Sequence, residues 1–153
     1  MDTRAPERSR DVGGDSRASV TLRRVGLGLL AVSAAIVGFW AEFAPKSFYD
    51  DFPGGGHHWV RVDGPYNQHL VRDVGQWNLA AFFLLVVALV VFDGRLVRLV
   101  AIAYLIAAVP HLVYHLGHLD VYRGSDKVGN VVSLSIAVAI PLALAISPGA
   151  RRT

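Results

Sequence analysis

The chain has 153 residues, 53% of them hydrophobic and only 18% charged, with a mean hydropathy of +0.41, whereas a soluble domain carries roughly 25% charged residues. The apolar residues fall in four long blocks with the charges almost wholly between them, which argues against a soluble fold and for a bilayer that takes up the apolar surface. Fifteen Lys and Arg against twelve Asp and Glu give a net charge of +3, mostly tail and flanking arginine, so nucleic-acid binding has little support. There is no cysteine, which excludes thiolate metal sites, iron–sulfur clusters, cysteine nucleophiles and disulfides. The single methionine is Met1, so a Cu(I) site lacks soft ligands and any metal would be held by imidazole and carboxylate.

Residues 1–21 are rich in Arg, Asp, Ser and Gly and read as a disordered cytoplasmic tail, because so few apolar groups cannot offset the entropy of ordering. A first span covers residues 25–43, entered through Arg23 and Arg24 and closed by Glu42, Pro45 and Lys46; the other reading of this stretch is a secretory signal peptide. Residues 44–64 form an outer loop without clear period, containing Pro53, Gly54, Gly55 and Gly56 and then His57, His58 and Trp59. Asp63, Gly64 and Pro65 resemble a helix start, with Asp as N-cap and Pro in the first helical position. The second span is expected over 74–92 and the third over 96–116. The turn of Asp93, Gly94 and Arg95 makes these two antiparallel neighbours, and Pro110 is expected to kink the third. A polar outer loop from Gly117 to Lys127 carries His118, Asp120, Arg123 and Asp126. The fourth span, 128–146, is interrupted by Pro141 and closes a transmembrane domain of residues 22–150.

Four spans put both termini on one side. Ten of the fifteen Lys and Arg lie on the side of the termini and five on the other, so the positive-inside rule predicts a multi-pass plasma-membrane protein with cytoplasmic termini. Trp40, Trp59 and Trp77 then fall at the outer interface, where indoles anchor. All six histidines lie in the outer half or beyond it.

His111, His115 and His118 follow at i, i+4 and i+7 and share one stripe of the third helix, bordered by Tyr114. His69, Arg72, Asp73 and Gln76 form a polar face on the second. Counted from the turn near Gly94, Asp73 and His115 each lie about 31 Å up their helices, Glu42 on the first helix falls just below that level, and Asn130 enters it from the fourth. The expectation is an outward-facing cup. In it His111, His115 and His118 are candidate ligands of a divalent zinc, iron or manganese ion, with His69, Asp73 or Glu42 completing the set and Arg72, Tyr114, Gln76 and Asn130 around them. The competing reading is a satisfied hydrogen-bond network that fixes helix packing and binds nothing. His57 and His58 read as solvated loop residues, and Arg72 beside Asp73 as an ion pair or headgroup contact. Few polar groups continue through the inner half, which disfavours transport. Haem is disfavoured because no second intramembrane histidine stands opposite the first. Hydrolysis needs metal-bound water, since no Ser-His-Asp order, phosphate loop or zincin motif occurs.

Arg72, Gly75, Leu79 and Ala80, which open the second span after a long outer loop, resemble the Arg-x-x-Gly-x-x-Leu-Ala run of small four-helix bacterial membrane proteins of the DoxX-like kind. The resemblance implies a compact helical bundle, sometimes an accessory of membrane redox or quinone chemistry. The triple histidine is not part of it. Together these observations predict an all-α, four-transmembrane antiparallel helical bundle. Three functions stay open: a divalent-metal site; a non-catalytic accessory or structural subunit, as a homo-oligomer or beside a membrane-complex partner; and an enzyme acting on a lipid or quinone that enters the cup laterally.

Overall fold

A computed structural model describes residues 17–147. Among them the chain forms five α-helices and no strand: α1 (Arg17–Phe43), α2 (Pro45–Asp51), α3 (Gln68–Val91), α4 (Gly94–Gly117) and α5 (Ser125–Ile146), with one 3-10 turn at Leu119–Val121. Four of these, all but α2, are long and apolar enough to cross a membrane; the shortest, α5, has 22 residues and extends about 33 Å, against a hydrocarbon core of about 30 Å.

The boundaries follow local chemistry. Helix α1 begins at Arg17, so residues 17–21, expected in the tail, are its first turns, and Thr21 donates back to the Arg17 carbonyl at 2.9 Å. The rest of the expected tail lies outside the described residues. The Asp63-Gly64-Pro65 start is not used. Asn67 caps α3 instead, its side chain accepting from the His69 and Leu70 backbone N–H groups, at 3.1 and 3.3 Å, which satisfies two donors that the first helical turn leaves open. Asp93 does the same for α4 toward Arg95 and Leu96, and Phe92 makes the reversal in the left-handed region at φ 48°. Both α4 and α5 continue through Pro110 and Pro141, which do not interrupt them.

The outer loop is not irregular throughout. Pro45 occupies the first turn of α2, where its missing N–H costs nothing, and the rings of Phe48 and Phe52, one turn apart, meet at a tilt of 38° with 4.8 Å between centroids while Trp40 approaches both edge-on. These rings and the buried Ala41 and Val71 make a small core over the ends of α1 and α3. It forms because the apolar faces of a two-turn helix need cover even where no long helix continues.

A second core lies toward the other end of the long helices, where Leu27, Leu30, Ala31 and Ala34 of α1 meet Leu85 and Ala88 of α3, Val97, Val100 and Ala101 of α4 and Leu144 of α5. We call this the base and the end carrying α2 the rim. Between base and rim the helices associate in pairs, α1 with α3 and α4 with α5, whereas α3 and α4 touch far less. The α1–α3 pair is close because glycines remove the Cβ at the crossing: Gly38 lies against Leu79, and a Cβ on Gly75 would stand 2.6 Å from the Glu42 backbone nitrogen. Along the apolar stretch of each long helix only a minority of residues are buried, 33% in α1 and 17% in α3, α4 and α5. Large side chains such as Ile36, Phe83, Val90, Leu99, Ile106 and Ile136 therefore stand exposed on every long helix.

Candidate rim site

At the rim, the glycine-rich loop folds back over α4 and α5. Gly54, Gly55 and Gly56 all take positive φ, at 102°, 65° and 84°, a region open to glycine without steric cost. The reversal lets the Trp59 N–H donate to the Phe52 carbonyl at 2.8 Å. Trp59 is thereby set against α5: its Nε1 donates to Asp126 Oδ1 at 3.1 Å, and its ring lies so close to Gly129 that a Cβ there would meet Cζ2 at 2.9 Å. The His57 ring pairs with the same Asp126 oxygen. His57 is thus tied to α5 rather than merely solvated, and His58 is bonded through Nδ1 to the Asp50 carbonyl.

Tyr122, 3% exposed, is the centre of the site. Its hydroxyl donates to the Trp59 carbonyl at 3.2 Å and lies 3.2 Å from His115 Nδ1, and the Asn130 side chain hydrogen-bonds to it as well. A hydroxyl has one proton, and a carbonyl only accepts, so the His115 contact must be Nδ1–H donating to the Tyr122 oxygen. That fixes the His115 tautomer and leaves Nε2 as its acceptor. Burial first, then the negative charge of Asp63, pushes the Tyr122 hydroxyl up to about 12, opposed by the bond from Asn130. Buried Asn130 keeps one oxygen, Oδ1, without a hydrogen-bond partner.

His115 is buried, whereas His111, Tyr114 and His118 are exposed. Part of the expected stripe forms: the His111 and His115 rings meet edge-on at 4.7 Å, whereas His118 is the cap beyond the end of α4, at φ -125°, and stacks on Tyr114 at 4.1 Å. His118 Nδ1 is bonded to the Tyr114 carbonyl at 2.8 Å. The carboxylate within electrostatic range of His111 and His115 is Asp63 of the loop.

The remaining members of the expected cup lie on the α1–α3 pair. Arg72 donates to the Glu42 carbonyl at 2.7 Å and to Glu42 Oε1 at 3.2 Å, so its partner is Glu42 and not Asp73. Asp73 faces His69 at 3.6 Å, with the His69 side chain almost wholly exposed, and Gln76 is exposed on the same helix. The set of His111, His115, His118, His69, Asp73 and Glu42 is therefore not assembled: among the described residues no three His, Asp or Glu side chains are placed to hold one ion. Matching heights along α3 and α4 was insufficient because those two helices do not pack along their length. The residues that do converge, Tyr122, Trp59, Asp126 and His57, all fall in the outer loops of the sequence reading. The available signal was Gly129, one turn after Asp126, a gap on α5 that a large ring could fill.

Comparison with family models, with curated proteins and with solved structures finds no match for this chain.

Proposed function

We propose that the protein is a multi-pass plasma-membrane protein, an antiparallel bundle of four spans with cytoplasmic termini, and that its rim network serves a structural or accessory role rather than catalysis. The exposed apolar girdle on four spanning-length helices supports the bilayer assignment, and the excess of arginine at the base supports the orientation. One observation carries the functional reading: Tyr122, His115, Trp59, Asp126 and His57 of α4, α5 and the loops between bond to one another. Tyr122 uses its one proton on Trp59 and accepts from His115 and Asn130; Asp126 accepts from Trp59 and pairs with His57. Such a network holds an aromatic platform at a fixed height over the α4–α5 pair, a surface on which a partner subunit can rest. Buried polar groups that satisfy each other this way specify one arrangement of neighbouring segments.

The test is metal analysis and thermal unfolding of the purified protein beside His115→Ala. The proposal expects a clear loss of stability in the variant with no metal lost, because none is bound. Stoichiometric zinc, iron or manganese in the parent that disappears in His115→Ala would overturn it in favour of a metal centre.

A further inference from the structure

At the base, α1 and α5 enclose a groove of about 280 Å³. Val25, Gly26 and Leu29 face Ala139, Ile140 and Ala143 across it, and Arg23 with Ser147 closes the base end. Three of these positions, Gly26, Ala139 and Ala143, carry small side chains or none, which leaves the space open.

One arginine lines the base end of the groove and others stand on the same end of the helices. Arg23, only 5% exposed, lines the groove while its guanidinium lies 5.4 Å from the Phe92 ring centroid, with that of Arg24 at 4.6 Å from the same ring. Arg98 reaches the Ser147 carbonyl at 3.2 Å on the other side. Among the described residues this end of the helices carries Arg17, Arg23, Arg24, Arg95 and Arg98 against one carboxylate, Asp93, and the Asp93 side chain is engaged in capping α4. An apolar groove with a guanidinium group at its base end matches a molecule with a hydrocarbon tail and an anionic head.

We infer that this groove is a binding site for one anionic phospholipid of the adjoining leaflet, with an acyl chain along Val25, Leu29 and Ile140 and the phosphate at Arg23 and its neighbours. The apolar wall takes up the tail without discrimination, and the arginines distinguish a negatively charged headgroup from a zwitterionic one. Guanidinium is suited to this because its planar fork matches phosphate oxygens.

The inference rests on the bilayer reading, and the experiment separates the two. The full chain is reconstituted into phosphatidylcholine vesicles with trace spin-labelled phosphatidylglycerol or phosphatidylcholine, and the protein-associated fraction of each label is measured. Phosphatidylglycerol should be preferred at least fivefold, and Arg23→Gln should lower that preference about fivefold, the effect of one basic residue near the surface. Since Arg23 is buried, Arg24→Gln at an exposed position gives a second charge arm. Ala143→Phe, also from an exposed position, should fill the groove and lower association of the anionic label, while Arg123→Gln at the rim should leave it unchanged. Equal association of both labels in the parent overturns the site, as does a preference that survives Ala143→Phe and falls equally with Arg123→Gln. A chain that fails to incorporate into the vesicles refutes the bilayer reading instead.

Discussion

Gly75 and Gly28 provide a matched pair of helical glycines with opposite surroundings. A Cβ added at Gly75 would lie 2.6 Å from the Glu42 backbone nitrogen and 3.0 Å from its Cα, whereas at Gly28 nothing lies within 4 Å. Ordinary contact begins at 3.4 Å, so Gly75→Ala is about 0.8 Å too tight, and the obstacle is helix backbone that cannot rotate aside. α1 must move away from α3, which places the cost at the upper end of the overpacking range, about 3 kcal/mol. The gain in helix propensity on replacing Gly by Ala returns about 1 kcal/mol. Gly75→Ala should therefore be less stable by about 2 kcal/mol, and Gly28→Ala, which has only the propensity gain, more stable by up to about 1 kcal/mol. Thermal unfolding in detergent, followed by helical circular dichroism, would put Gly75→Ala below the parent and Gly28→Ala at or above it. Since Arg72 grips Glu42 one turn from the contact, the same shift should loosen that bond. If the two variants unfold together, the close α1–α3 crossing described above is wrong.

Tyr122→Phe removes the hydroxyl shared by Trp59, His115 and Asn130 and strands buried polar partners, an expected loss of about 2–3 kcal/mol; chemical unfolding at neutral pH measures it, and a neutral outcome would mean that the rim network does not hold the loop. The Tyr122 hydroxyl is raised from 10.0 to about 12 in the folded chain, so the fold favours the neutral phenol. That contribution, at most about 3 kcal/mol, is present in full below pH about 10 and is lost as the pH rises through 12. Tyr122→Phe should flatten this part of the alkaline stability profile, and an unchanged profile would contradict it. Asn67→Ala removes the α3 cap and should cost about 1 kcal/mol, while Asp63→Ala should cost none through capping; the reverse order in thermal unfolding would restore the start expected from the sequence. Trp59→Phe retains most of the ring packing and loses the bond to Asp126. Hydrogen exchange in the loop should speed up, and equal protection would show that packing alone seats it.

The metal cup shows where reasoning from one dimension stops. His111, His115 and Tyr114 share a helix, and the 3.6-residue period alone placed them together as the structure does. Asp73 and Glu42 belong to other helices, and rise per residue says how high a group stands but not which way its helix faces. α3 turns Arg72 toward α1, where it meets Glu42, while His69 and Asp73 face each other one turn apart on α3 itself. The carboxylate that approaches the α4 histidines comes from Asp63 in the loop.

The four long helices were legible in the chain itself, because apolar runs of that length bounded by charged and turn residues read as helices, whose backbone hydrogen bonds close within the segment and need no partner element. Tertiary structure alone decided that α1 pairs with α3 and α4 with α5, that Trp59 seats on Gly129, and that Tyr122 joins loop, α4 and α5. Those contacts depend on the rotation of each helix and on the path of a loop whose three positive-φ glycines reverse it, and neither is encoded in the spacing of residues along a single segment.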